Sequence, residues 1–364
     1  MTTHNADNER IKRQYFTYLK EAKRHSEPTV DAVAKAISRF EDYTKRRDFK
    51  MFRPEQAVAF KRHFGEQRNQ RTTAVLSKAT MHSTLGGLKA FFHWLAGQPG
   101  YKSRLRYSDA EYFNLSEKDV RVATARRNQL GPTLEQLLHV LNKMPTNTAV
   151  ERRNRALVAF TTLTGARDGA IASFKLKHVD LKASCVHQDA RDVKTKFSKT
   201  FTTYFFPVGD EFREVLDAWI AELKTEQLWG DDDPLFPATQ VVVGENKQFA
   251  AVGLTRTHWS NATPIRRIFR EAFETAGLPY FNPHSLRHTL VRLGASLCKT
   301  AEEFKAWSQN AGHEHVLTSL RSYGQVDTHR QAEIMLSLGR QQDTLNIDAS
   351  AVISFIEKQM AARR

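Results

Sequence analysis

Residues 282–295 read NPHSLRHTLVRLGA and place a histidine and an arginine three positions apart, His284 and Arg287, on a predicted helix. Three other segments of the second half of the chain concentrate Arg, His, Lys and Tyr: TGARDGAIASF (164–174), VKTKFSK (193–199) and AGHEHVLTSLRSY (311–323). Each segment alone is a weak signal, because such residues are common on protein surfaces. Their joint occurrence predicts one composite site.

The second half of the chain is predicted to be mainly α-helical with a small antiparallel β-sheet. Thr133 is a candidate cap for a helix that ends before Pro145, and apolar residues recur at helical spacing in 212–223 and 265–277. Residues 200–208, TFTTYFFPV, are rich in β-branched and aromatic residues, which is typical of a strand or hairpin. Residues 230–254 are interpreted as a long loop or variable insert.

The first part of the chain is predicted to be a separate helical domain. Helices are expected after Pro28-Thr29 and from about Thr80 to Leu95, because each segment has a single apolar stripe. The 364 residues are enough for two domains. We predict a helical domain over 1–120, a linker over 121–131, a second domain over 132–342 and a C-terminal tail over 343–364.

Charge favours a polyanionic partner. The chain has a formal net charge of +15, and residues 1–130 hold most of it, with 26 Lys and Arg against 14 Asp and Glu. Such an imbalance suits nucleic acid, although it also occurs in basic soluble domains. The two cysteines exclude a disulfide framework, and no run of about 18 apolar residues spans a bilayer. A cytoplasmic location is expected.

The four segments resemble the tyrosine recombinase, or phage integrase, family. The resemblance covers about residues 131–340 by motif and residues 1–120 more loosely, through a helical domain that contains LKAFFHWL. It implies a helical core-binding domain and a mixed α/β catalytic domain that cleave and rejoin duplex DNA, through a 3′-phosphotyrosine, to integrate or excise a mobile element. Five positions match the family's catalytic residues: Arg167, His284, Arg287, His313 and Tyr323.

The chemistry of these residue types agrees with that reaction. Arg167 and Arg287 would pair with the non-bridging phosphate oxygens, because guanidinium forks bind them in a bidentate way. Tyr323 would be the nucleophile, and a phenol with a pKa near 10 needs help to lose its proton. His284 is the candidate for that help. His313 is expected to donate a hydrogen bond to a phosphate oxygen.

The leaving 5′ oxygen needs a proton, and the family uses a lysine on a hairpin turn for this step. Lys194, Lys196 and Lys199 compete, and Lys196 is favoured because Lys196-Phe-Ser-Lys199 looks like the family's Lys-x-x-Lys turn. A covalent phosphotyrosine conserves the energy of the broken ester. The resemblance therefore implies no cofactor, neither ATP nor metal.

Other interpretations of the same residues are weaker but distinct. His284 with His288, or His313 with His315, could suggest zinc, yet three ligands cannot be assembled convincingly. The run Asp231–Asp233 is interpreted as a solvated turn rather than a two-metal site. A type IB topoisomerase uses a similar residue set, and a catalytically idle DNA-binding regulator could keep the fold.

The resemblance also implies partners. The expected target is double-stranded DNA with inverted core sites, bound by a dimer of this chain, with four copies in the synaptic complex. Residues 343–364 contain apolar side chains, and this tail is expected to dock on a neighbouring copy. The sequence does not define the target site.

Overall fold

The computed structural model describes residues 4–68, 73–125, 131–243, 248–313 and Glu333. Two compact units divide between Arg127 and Asn128, and each is described by itself. The division falls within 121–131, although residues 121–124 belong to the last helix of the first unit. The domain bounds given above stay a prediction.

The first unit is helical in its described residues. Its helices are α1 (Ala6–Thr17), α2 (Glu27–Tyr43), α3 (Pro54–Glu66), α4 (Lys78–Ala96) and α5 (Glu117–Thr124). Tyr18–Ala22 continues α1 as a π-helical turn, and Phe49–Met51 and Tyr107–Phe113 are short 3-10 helices. Both helices expected from apolar periodicity are present as α2 and α4.

An aromatic cluster forms the core of the first unit. The ring of Phe92 lies 4.1 Å from that of Phe52 and 5.3 Å from that of Phe113, centroid to centroid, and Phe40 meets Phe92 edge-on at 5.4 Å. All four side chains are buried. Offset and edge-on pairs of this kind add to the free energy gained from burial itself. The cluster fixes how α2 and α4 pack.

The second unit is mainly helical with small antiparallel sheets, as the sequence predicts. Its helices and strands are α6 (Leu134–Lys143), α7 (Ala149–Thr164), α8 (Asp168–Ile171), β1 (Val179–Asp180), β2 (Cys185–Gln188), β3 (Phe201–Tyr204), α9 (Asp210–Thr225), β4 (Thr239–Val243), β5 (Phe249–Leu254), α10 (Thr263–Thr275), α11 (Leu286–Leu297) and α12 (Ala301–Asn310). Thr133 caps α6 as expected, accepting a hydrogen bond from Gln136 N at 3.2 Å.

Helix α7 is the central element of the second unit. Every residue from Ala156 to Thr164 is buried, so the helix is covered on all sides along its last two turns. The hydroxyls of Thr161 and Thr162 donate to the carbonyls four residues earlier, at 2.7 and 2.9 Å. These bonds satisfy polar groups that would otherwise be costly inside the core. The buried end of α7 leads directly into Arg167.

Strands β1, β2 and β3 form an antiparallel sheet in that order. Val186 lies opposite both Val179 and Thr203, and Gln188 lies opposite Phe201. The segment VKTKFSK, named here the lysine turn (residues 193–199), connects β2 to β3. The expected position of a lysine-rich turn between two strands is therefore confirmed.

The interpretation of residues 230–254 as a loop is wrong for part of that range. Strands β4 and β5 pair antiparallel, with Val241 opposite Ala251 and Val243 opposite Phe249. The acidic run before them is indeed a turn, in which Asp232 pairs with Lys175 at 3.1 Å. Period-two patterning is weak here because apolar side chains on both faces of the hairpin stay exposed, including Phe249.

In the described part of the chain, no helix combines the length and the apolar character needed to cross a bilayer.

Candidate active site

Arg167 stands at the start of α8, just beyond the end of α7. Gly165 ends α7 in the left-handed region, with φ of +58°, where glycine is favoured. A Cβ at this position would lie 2.8 Å from Leu290 Cδ1, so close packing also requires glycine. The Arg167 carbonyl accepts from Ala170 N and Ile171 N at 2.8 and 2.9 Å. The side chain is half-buried, and burial lowers its pKa.

Arg287 on α11 is buried among backbone carbonyls. Its Nη1 donates to Gly165 O at 2.6 Å, and its Nη2 donates to Ala311 O and, at 2.8 Å, to His313 Nε2. Burial and then the neighbouring Arg167 lower its pKa to about 9. The two arginines are therefore close enough for the charge of Arg167 to act on Arg287, which favours the binding of an anion between them.

His313 follows α12 and contacts the buried arginine. Burial, then Arg287 and Arg167, lower its pKa to about 3, so the ring is neutral at physiological pH. Because Nε2 accepts from Arg287, the proton of the neutral ring belongs on Nδ1. Gly312 precedes it with φ of +68°, and a Cβ there would lie 2.7 Å from the Phe201 ring. The backbone before His313 thus packs closely against β3.

The side chain of Asn310 joins the end of α12 to the sheet. Asn310 Nδ2 donates to Tyr204 O at 2.8 Å, and Asn310 Oδ1 accepts from Tyr204 N at 2.7 Å. Trp307 Nε1 donates to Leu290 O at 2.9 Å and joins α12 to α11. These bonds hold the segment that carries His313 against both β3 and α11.

His284 lies in the short 3-10 helix Pro283–Ser285, which leads directly into α11 and Arg287. Partial burial, followed by the charges of Arg287, His288 and Arg167, lowers its pKa. The His284 and His288 rings are nearly perpendicular, with centroids 6.0 Å apart. A neutral imidazole can accept a proton, whereas a protonated one cannot.

The three candidate lysines lie in different surroundings. Lys194 N donates to Ser173 Oγ at 2.9 Å, whereas Lys196 Nζ lies 4.8 Å from the centroid of the Phe197 ring. Phe197 is 77% exposed and has φ of +62°, so the middle of the turn projects into solvent. Lys199, at the end of the turn, is half-buried.

The structure brings four of the predicted site residues together: Arg167, His284, Arg287 and His313. Tyr323 lies outside the described residues, as do His315 and the tail 343–364. Among the described residues, no three His, Cys, Asp or Glu side chains are grouped to hold a metal ion.

Two residues that help to position the site were not predicted from the sequence. Gly165 provides a carbonyl for Arg287, and Ser173 contacts the lysine turn. A glycine at a helix end is a signal for the first. No local pattern indicates the second, because Ser173 and Lys194 are 21 positions apart.

Comparison with known proteins identifies the family to which this chain belongs. Residues 132–330 match the model of the phage integrase family. The tyrosine recombinase XerC of Anoxybacillus flavithermus is 22% identical over 320 residues, covering 86% of this chain and 91% of the relative. XerC of Halalkalibacterium halodurans is 22% identical over 316 residues, which cover 86% of this chain and 91% of that relative.

Solved structures share the fold. A lambda integrase dimer bound to a COC′ core site has a TM-score of 0.59 at 13% identity, covering 89% of this chain and 80% of that one. The Tn1549 transposon integrase in complex with transposon right end DNA also has a TM-score of 0.59 at 14% identity. The match covers 90% of this chain and 99% of that one.

The family match and the XerC relatives show that this chain is an enzyme of the tyrosine recombinase class, which breaks and rejoins DNA strands. The family model covers more than half of the chain, and the chain belongs to the phage integrase family. It is a site-specific DNA recombinase.

Proposed function

We propose that this recombinase cleaves and rejoins duplex DNA through a 3′-phosphotyrosine at Tyr323, to integrate or excise a mobile element. The observation that carries this proposal is the cluster of Arg167, Arg287, His284 and His313, in which Arg287 Nη2 lies 2.8 Å from His313 Nε2 and the arginine charges act on both histidines. The negatively charged oxygens of a scissile phosphate would bind this cationic cluster.

The two arginines act as a phosphate clamp in this proposal. When a phenol attacks the phosphorus, negative charge grows on the two non-bridging oxygens, and guanidinium donors stabilise it. Gly165 O and Ala311 O fix the Arg287 guanidinium before substrate binds. Preorganised donors need no rearrangement during the reaction, which is why they lower the barrier.

Tyr323 supplies the nucleophilic oxygen, and the two histidines assist. His284 accepts the phenolic proton, for which its lowered pKa keeps a neutral ring available. His313 donates a hydrogen bond to a phosphate oxygen and supports the clamp through its contact with Arg287. The 5′ oxygen then leaves with a proton from the lysine turn, and the phosphate stays covalently bound to the tyrosine. Reversal with a new 5′ hydroxyl rejoins the strand.

Replacement of the lysines one at a time should identify the general acid. With Lys196 in that role, Lys196→Ala should slow cleavage by roughly 10²-fold, because the 5′ oxygen would leave unprotonated. Lys194→Ala and Lys199→Ala are the matched controls and should stay within about fivefold of wild type if they contact only the DNA backbone. Single-turnover cleavage rates decide the question, and a dominant defect in either control would transfer the role to that lysine.

The proposed reaction needs no cofactor. The phosphotyrosine bond keeps the energy of the broken phosphodiester, so rejoining requires no ATP, and the arginines supply the charge that a metal supplies in other phosphoryl-transfer sites. Cleavage is accordingly expected to continue in excess EDTA.

Several copies of the chain are expected to act together. The family relationship and the solved lambda integrase tetramer bound to a Holliday junction, with a TM-score of 0.57, support a dimer on inverted core sites and a tetramer during strand exchange. The basic residues 1–130 support DNA binding by the first unit. We further propose that residues 343–364 dock on a neighbouring copy. A cytoplasmic location follows from action on cellular DNA.

A nicked suicide duplex tests the proposed reaction. Loss of the short strand after cleavage prevents rejoining, so wild type should accumulate a covalent protein–DNA adduct, whereas Tyr323→Phe should form none. Screening a library of duplexes and mapping the adduct would give both the site and the modified residue. Wild type that forms no adduct on any duplex would identify a catalytically idle DNA-binding protein.

A plasmid assay separates recombination from topoisomerase activity. A type IB topoisomerase relaxes supercoiled DNA of arbitrary sequence, whereas a recombinase should act only on plasmids that carry the mapped site. Relaxation at equal rates with and without the site would favour the topoisomerase.

A further inference from the structure

We propose that Ser173 is a positioning residue for the general-acid step, because its hydroxyl connects the lysine turn to the helix that begins after Arg167. This inference rests on the proposed function and concerns the protonation of the leaving oxygen.

Three hydrogen bonds connect the backbone of Lys194 with that of Arg167. Lys194 N donates to Ser173 Oγ at 2.9 Å, and Ser173 Oγ donates to Ala170 O at 2.9 Å. Ala170 N in turn donates to Arg167 O at 2.8 Å. Ser173 is only 7% exposed, so water does not readily replace it. Ser173 and Ala170 therefore link the backbone of the lysine turn to the backbone of Arg167.

The first residues of the lysine turn are also held by packing. Val193 is 1% exposed, and its N donates to Asp189 O at 2.7 Å. The preceding residue, Asp192, forms an ion pair with Lys177, whose Nζ lies 2.9 Å from Asp192 Oδ2. This side of the turn is fixed at several points, and Ser173 is the side chain that aligns it with α8.

The rest of the lysine turn, after Thr195, is more exposed and has an unusual backbone conformation. Phe197 and Ser198 both have positive φ, of 62° and 51°, and the Phe197 side chain is largely exposed. Beyond Thr195 the turn thus adopts a backbone conformation that non-glycine residues rarely take and packs little against the unit. The other end is held after the turn, where Thr200 Oγ1 accepts from Ala190 N at 3.1 Å before β3 begins. In this proposal Ser173 holds the first end, which contains Lys194 and leads into Lys196.

Alignment matters because a general acid must lie within hydrogen-bond distance of the oxygen it protonates. A displacement of about 1 Å can reduce the rate about 10²-fold. The alternative is that Ser173 only stabilises the core, as many buried serines do. A stabilising role would affect every step alike, whereas a positioning role affects only the step that needs the proton.

The test compares two leaving groups at the same scissile phosphate. One nicked duplex carries the site mapped with wild type and an ordinary 5′ oxygen; the other carries sulfur at the bridging 5′ position. A thiolate leaves without protonation because a thiol has a pKa of about 8.5, far below that of an alcohol. Ser173→Ala should cleave the oxygen duplex roughly 10- to 100-fold more slowly than wild type. It should cleave the sulfur duplex within about twofold of wild type, since no general acid is needed there.

Matched variants distinguish positioning from stability. Ser173→Thr keeps the hydroxyl and should recover most of the rate on the oxygen duplex, while Ser173→Cys keeps the volume but is a weak acceptor and should behave like alanine. Thr162→Val removes another buried hydroxyl, which donates to Val158 O within α7, and should affect both duplexes equally. Ser173→Cys replaces alanine in the comparison if the alanine variant does not fold.

A double variant gives a further test. It combines Ser173→Ala with the alanine substitution of the lysine that proves to be the general acid, and its cleavage rate is measured on the oxygen duplex. Because both changes affect one step, the double variant should be no slower on the oxygen duplex than the lysine variant alone. Equal slowing of both duplexes by Ser173→Ala, or an unchanged rate on the oxygen duplex, would overturn the proposal. Failure of the proposed function would look different, since wild type would then form no Tyr323 adduct with either duplex.

Discussion

Arg287→Ala is expected to slow single-turnover DNA cleavage by at least about 10²- to 10³-fold, the usual cost of losing one preorganised charge-stabilising donor. The Arg287 guanidinium is buried and is directed by Gly165 O, Ala311 O and His313 Nε2. Alanine removes the charge and also leaves these acceptors without their donor. Rates on the nicked duplex, measured at saturating protein, report the chemical step.

Two further substitutions separate charge, geometry and stability at this position. Arg287→Lys should recover little activity, because one ammonium group cannot replace a planar fork that bonds several acceptors. Arg287→Met should abolish cleavage while lowering the melting temperature less than alanine does, since methionine fills the space although the buried acceptors still lose their donor. Arg270→Ala, an exposed arginine on α10, is the control and should cleave normally. A cleavage rate for Arg287→Ala within tenfold of wild type would remove Arg287 from the clamp.

The free energy of unfolding of the second unit is expected to fall as the pH decreases from 6.5 towards 3. His313 has a pKa of about 3 in the folded chain, below the ordinary value of 6.5, so the unfolded chain binds the proton first. Its contribution to stability is complete above pH 6.5 and is lost as the pH falls through this range. The lowered pKa values of His178, His258 and His284 act in the same direction.

His313→Gln tests this assignment. Glutamine does not titrate, so the variant should lose less stability than wild type between pH 6.5 and pH 5, by about 1 kcal/mol after allowance for the partial exposure of the ring. Urea unfolding at each pH gives the comparison, and His139→Gln, at an exposed position on α6, is the control. Parallel pH profiles for wild type and His313→Gln would show that His313 does not carry the effect.

The helices were predictable where local signals agree. For α6, the Thr133 cap and the apolar stripe both lie within a short segment, and the structure places the helix there. The hairpin of β4 and β5 was missed because its apolar residues face solvent on both sides and show no simple alternation. Ser173 was missed because its contact with Lys194 depends on how α8 packs beside the lysine turn.

The sequence by itself determined which reactive residues the chain contains and in what order, because a motif is a property of neighbouring positions. It indicated Arg167, His284, Arg287, His313 and Tyr323, and it favoured a nucleic-acid partner through charge. Only the tertiary structure decided that Arg287 bonds a carbonyl 122 positions away and that His313 is neutral. Burial and the distances between charges set these properties, and both arise when α7, α11 and α12 pack together.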